Sequence, residues 1–149
     1  MTIQQLAAKE IALTQLETAL RLFLEGRDFI STITLAGAAE EILGGLVTKG
    51  GGKPSLIRRA ENKRAAFFAV FPMRGNPGIG PFIDLTNKPR NTCKHFTGRP
   101  LSADAKVTSA RFLKRAVENY YLLYKHHTPA MARFQRVYFD VVGVSKGYG

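Results

Sequence analysis

The chain has 149 residues, 45% hydrophobic and 10% aromatic, which fills one core and excludes a second independent domain. Its single cysteine, Cys93, excludes an intramolecular disulfide and a cysteine-rich zinc site and fits a reducing compartment. With 22 Lys and Arg against 11 Asp and Glu, the net charge of +11 points to a polyanionic partner and away from a balanced surface.

Apolar residues recur at helical spacing between Gly and Pro punctuation, so the sequence predicts an all-α, up-and-down bundle of five to six helices. The first carries Ile3, Leu6, Leu13, Leu16, Leu20, Phe23 and Leu24 and stops at Gly26. Asp28 caps the second, from Phe29 to about Thr48, with the stripe Leu35, Ala39, Ile42, Leu46 and Val47 and a stop at Gly50, Gly51 and Gly52. Its small residues Ser31, Ala36, Gly37, Ala38 and Ala39 admit a close neighbour. Pro54 and Ser55 open the third, whose Leu56, Ile57, Ala60, Phe67, Phe68 and Phe71 leave Arg58, Arg59, Lys63 and Arg64 for water or a partner; Pro72 ends it.

The stretch PMRGNPGIGP, residues 72–81, then reads as a loop, and a short fourth helix opens at Thr86 or Asn87 with Pro89 in its first turn and closes at Gly98 and Pro100. Ser102 caps the fifth and longest, with Asp104 in its first turn and Ala110, Leu113, Val117, Tyr120, Tyr121 and Tyr124 inward. Thr128 and Pro129 begin a sixth with Phe134, Val137, Tyr138 and Val141, ended by Gly143; its β-branched run, Val137 to Val144, is the one stretch that also fits a strand. Residues 1–143 thus form one domain and 144–149 a mobile tail. No apolar run reaches the roughly 18 residues of a membrane span, and MTIQQLAAKE is not a secretion leader, so a cytoplasmic protein without membrane association is expected.

Several motifs fail on inspection. GGGKPS has Pro54 after the lysine, Val47 in place of the leading glycine, and a helix before it, so it is not a P-loop; GNPGIG lacks dinucleotide spacing. Thr92, Leu123 and Tyr124 stand three positions before His95, His126 and His127, which excludes a carboxylate di-metal bundle, and no cofactor or metal is expected. His126 and His127 read as helix-end surface residues, the tyrosines chiefly as core, and Cys93 as a small hydrophobe. One of Glu40 and Glu41 could hydrogen-bond Arg90, but they read as an exposed helix pair that needs no such role and are left outside the site.

Charge is uneven: residues 1–50 hold four basic and six acidic side chains, residues 51–149 hold 18 and five. Within the basic part lies KPRNTCKHF, residues 88–96. An imidazole titrating near about 6.5 can take a ribose 2′-OH proton and return one. A guanidinium stabilises the charge that develops on phosphoryl oxygens. His95 is therefore the candidate general base and acid, Arg90 the phosphate stabiliser, and Asn91 an orienting group. Lys94, Lys88, Arg58, Arg59 and Lys63 are candidate RNA-phosphate contacts. A five-residue helical step turns about 140°, so Arg90 and His95 do not share a face of a straight helix whereas Asn91 and His95 do; a bend, or a site shared by two protomers, is required.

RNTCKH, Arg90 to His95, resembles the HEPN superfamily, whose ribonuclease members carry Arg, a polar residue and then His after a gap of four to six. The run ALRLFLEGRDFISTITLAGAAEEILGGLV is similar to small bacterial members, and the likeness is closest over residues 16–48 and 86–97. The resemblance implies a HEPN-like homodimer in which two copies of Arg90 and His95 meet at a basic cleft. It implies cleavage of single-stranded RNA without metal, leaving 2′,3′-cyclic phosphates, and a cognate antitoxin or regulator as a further partner. Toxins of this group paired with nucleotidyltransferases often have Tyr two residues after the histidine, where this chain has Thr97. The alternative is a non-catalytic HEPN-like module that binds RNA or nucleotide, or only dimerises.

Overall fold

The computed structural model describes residues 6–95 and 98–143. Six helices follow one another: α1 (Ala8–Leu24), α2 (Phe29–Lys49), α3 (Ser55–Val70), α4 (Gly80–Lys94), α5 (Ala105–Tyr124) and α6 (Pro129–Val142), with a 3-10 turn at Pro72–Arg74. No strand occurs among the described residues, so the chain is an all-α bundle and the Val137–Val142 run is helical. Ile3, Thr97, Val144 and the tail 144–149 lie outside the described residues.

The ends of the first two helices follow directly from sequence. Gly26, at φ 67°, lets its own amide reach Phe23 O and the Arg27 amide reach Leu22 O, which closes α1 in a left-handed cap. Gly51 at φ 83° repeats this on α2, with Gly51 N bonded to Thr48 O and Gly52 N to Val47 O. Asp28 accepts from the Ser31 amide at 2.9 Å as the N-cap of α2.

The core lies between α2 and α5, with α1 and α6 closing it; Leu16, Leu20, Ile33, Leu43, Leu113, Val117, Met131 and Phe134 are fully buried. Phe23 meets Phe134 edge-on, ring centroids 5.4 Å apart, tying α1 to α6. By length and composition α2 does reach the requirement for a membrane span, contrary to expectation, because its glycines and threonines dilute its apolar character without adding charge. Here its apolar stripe is covered by α1 and α5, and its Glu40 is buried in an ion pair.

Several boundaries differ from expectation: α1 begins at Ala8, which leaves Leu6 before it, and α4 ends at Lys94, short of Gly98. α4 starts at Gly80, with Pro81 taking the first-turn position, so the loop after the 3-10 turn is short and Pro89 lies inside the helix. Thr86 and Asn87 are not caps: Thr86 Oγ1 donates to Phe82 O at 2.7 Å, and Asn87 is buried against α5. Local capping chemistry loses here to tertiary contact. α5 is capped by Asp104, whose carboxylate accepts from Val107 N at 2.9 Å, two residues beyond the expected Ser102.

Candidate functional site

α4 has a single buried residue, and it is polar. Asn87 Oδ1 accepts from Arg115 Nη2 of α5 at 3.2 Å, and the same nitrogen lies 3.2 Å from Glu40 Oε2 of α2. Both members of the ion pair are sequestered, with side chains 4% and 3% exposed. Burial pulls the Arg115 guanidinium below its ordinary value, and Glu40 acts against that pull. The guanidinium also lies over the Phe112 ring at 4.3 Å, while its Nε has no partner. Beside it Asn119 donates to Glu40 O and accepts from Ser55 N, the first-turn amide of α3, at 2.8 Å. Glu118 takes Arg59 in a two-pronged pair at 2.9 and 3.0 Å and accepts from the Ser55 hydroxyl. Charged groups of α2, α3 and α5 and the Asn87 amide of α4 are thereby locked into one network.

Arg90 sits one turn beyond Asn87 on α4. Its stem crosses α2 at Gly37, where a Cβ would stand 2.4 Å from Arg90 Cδ. Only glycine permits that approach. Nη1 lies 3.3 Å from Glu41 Oε2, Nη2 lies 3.4 Å from Asn91 Oδ1, and Nε is buried without a partner. The guanidinium is thus aimed along α2, with a 14% exposed side chain. A groove of about 280 Å³ runs past it, walled by Glu40, Glu41, Gly44, Pro54, Ile57 and Asn87.

His95 is the C-cap of α4, exposed on extended backbone (φ −126°, ψ 151°), with its amide bonded to Asn91 O at 2.9 Å. No hydrogen bond or ion pair joins it to Arg90 among the described residues. Arg90 meets Asn91 and Glu41, so one chain brings together two of the three expected catalytic residues and leaves His95 at the surface. Lys94, Lys88 and Arg58 are exposed. Lys63 Nζ reaches Thr86 Oγ1 at 3.3 Å, and burial with the nearby Arg115, Arg111 and Arg59 charges lowers its pKa. Arg59 is held by Glu118 and faces the network.

On the other side of α4 a cavity of about 500 Å³ is lined by Asp84, Leu85, Lys88, Asn91, Thr92 and Arg99. A second, of about 380 Å³, shares Leu85, Lys88, Thr92 and Arg99 and continues to Ser102. The two form one trough between α4 and the segment that leads into α5.

Sequence reasoning missed Arg115 and Asn119, and it left Glu40 and Glu41 outside the site although it allowed one of them as a partner of Arg90, the place Glu41 takes. For the glutamates a signal was present, since two carboxylates interrupt the most apolar helix, whose broad apolar face leaves little surface for both. Glu40 is the inward one, 2% exposed, whereas Glu41 stays at the surface and takes Arg90. At the far end of the bundle Tyr120 is buried, Tyr124 packs against the core and Tyr121 stacks on His127 at 4.8 Å. His126 bridges Tyr120 Oη and Tyr124 O, so it closes the turn between α5 and α6. Cys93 is half-buried against the core, and burial raises its thiol pKa. No protein-family model, curated protein or solved structure gives a significant match to this chain.

Proposed function

We propose that the chain is a metal-independent endoribonuclease of HEPN type, acting on single-stranded RNA with Arg90 and His95 of two copies at a shared cleft. The observation that carries this reading is the fixed presentation of Arg90. Its stem is seated on Gly37 and its two terminal nitrogens are oriented by Glu41 and Asn91, on the helix that ends in an exposed imidazole. A preoriented guanidinium costs no reorganisation when charge builds on a phosphoryl oxygen. In the reaction His95 takes the 2′-OH proton, a bond forms between O2′ and phosphorus, and the bond from phosphorus to O5′ breaks. O5′ leaves with a proton from the imidazolium of the second copy, and a 2′,3′-cyclic phosphate remains. Lys88 and Lys94 hold neighbouring phosphates.

The test is incubation of wild type and His95→Ala with end-labelled single-stranded RNA in EDTA, reading product ends and, separately, oligomeric state and helicity. Cyclic-phosphate ends from wild type alone support the proposal; intact RNA with a folded dimer overturns it. The Arg90–Glu41 ion pair favours a second reading, a module that binds RNA without cutting it, because the carboxylate competes with phosphate for the guanidinium. Binding that weakens steeply with salt, with no product, identifies that case.

A further inference from the structure

The trough on α4 contains a carboxylate in a cationic setting. Asp84, Lys88, Asn91 and His95 follow at steps of four, three and four, so they form one stripe along the helix and end at the candidate base. Leu85 is 67% exposed on the same wall. Asp84 and Lys88 line the same cavity yet make no hydrogen bond or ion pair with each other or with any described residue. A carboxylate kept beside Lys88 and Arg99 without closing on Lys88 is available to a ligand that brings hydrogen-bond donors as well as negative charge.

We infer that this trough is a guanine-nucleotide subsite, with Asp84 as the base-reading residue. A carboxylate presents two acceptors side by side and is matched by two parallel donors. Among the bases only guanine offers two adjacent donors, N1–H and N2–H, on its pairing edge. Adenine and cytosine place an acceptor beside their amino group, and uracil flanks its N–H with two carbonyls; each sets a lone pair against the carboxylate. Leu85 supplies an apolar wall for the base. The four-residue step sets Lys88 about 6 Å further along the helix axis, which leaves room for a sugar before the phosphate meets Lys88. A cavity of about 500 Å³ accommodates one nucleotide. The inference rests on the RNA-directed reading of the chain, and recognition is separable from cleavage.

The experiment uses the full chain and fluorescent 2′-O-methyl uridine hexamers with one central guanine, adenine, cytosine or uracil, which cannot cyclise. Binding is followed by anisotropy for wild type, Asp84→Asn and Lys88→Ala. Wild type is expected to prefer the guanine hexamer by about tenfold. Asp84→Asn, whose one donor and one acceptor match an edge of every base, is expected to lose that preference while keeping its affinity for the other three hexamers, an outcome that mere loss of structure does not produce. Lys88→Ala is expected to weaken all four alike. Equal affinities in wild type, or a guanine preference that survives Asp84→Asn, overturns the inference even where cleavage is found. Competition by guanosine 5′-monophosphate assigns the source: displacement at hexamer-like concentration indicates free nucleotide, and much weaker displacement an RNA strand, both through the same site.

Discussion

Gly37→Ala isolates the seat of Arg90 from the rest of the fold. The new methyl carbon would lie 2.4 Å from Arg90 Cδ and 2.7 Å from Cγ, closer than carbon atoms approach, so one side must move. The helix backbone is fixed by α1 and α5, whereas the arginine stem is flexible; Arg90 therefore swings off α2. Moving alanine for glycine into a helix gains about 0.5–1 kcal/mol. Against this stand the lost ion pair to Glu41, about 0.2–1 kcal/mol because that carboxylate is largely exposed, and the exposure of two stem methylenes at about 0.8 kcal/mol each. Return of the unpaired Nε to water offsets part of the loss. The net loss of stability is about 1–2 kcal/mol before that offset, while Arg90 loses its orientation entirely. Urea unfolding measures the first quantity. The Arg90 Nε–H resonance in a nitrogen-edited NMR spectrum, which should lose its solvent protection, reports the second without relying on activity. RNA cleavage in EDTA should fall by about 10²–10³, as when one oriented donor to a phosphoryl or acyl oxygen is removed. An unchanged Nε–H signal, or wild-type cleavage by Gly37→Ala where Arg90→Ala is inactive, would refute the placement of Arg90.

Two further outcomes follow from the buried network. Glu40→Ala should destabilise the fold by about 3–5 kcal/mol in urea unfolding, because Arg115 is left buried and uncompensated, whereas Glu40→Leu with Arg115→Leu together should recover most of that loss; equal destabilisation by the single and double variants contradicts this assignment. Burial alone would raise the Glu118 carboxyl, but hydrogen bonds from Ser55 and Arg59 with the charges of Arg59 and Lys114 outweigh it and hold it below 4.5. The folded state thus binds that proton less readily than the unfolded chain. Its contribution is complete above the unfolded value and is lost as pH falls through the folded one. Glu118→Gln should therefore flatten the acid limb of a thermal-stability profile against pH, and an unchanged acid limb refutes the link.

Helix type and order were legible in the sequence because each of α1, α2, α5 and α6 buries an apolar stripe whose spacing is visible without coordinates, and four of these ends use Gly or Thr in the expected way. The start of α4 was not. Its apolar positions, Phe82, Ile83 and Leu85, stay partly or largely exposed, so no stripe marks it. Its interior Pro89 and its Thr86–Asn87 pair imitate a helix start. The motif residues of α4 were readable as chemistry. Which of them turn inward was not, because Asn87 is placed by Arg115 and Arg90 by Gly37 and Glu41, partners at least 28 positions away in sequence.

With one buried residue, α4 has little apolar surface fixing it to the bundle beyond Cys93 on the core and Phe82 on Phe67, and polar contacts made by two successive residues of α2 add to these. Glu40 faces inward and reaches Asn87 through Arg115; Glu41 faces the groove and takes Arg90 directly. The first contact is sheltered from water and salt, whereas the second is open to both. An incoming phosphate competes with Glu41 for Arg90 but not with Glu40 for Arg115. In the proposed reaction Arg90 would therefore pass from Glu41 to the phosphate while the inner contact keeps α4 in register, so the geometry of the least apolar helix would survive that change of partner.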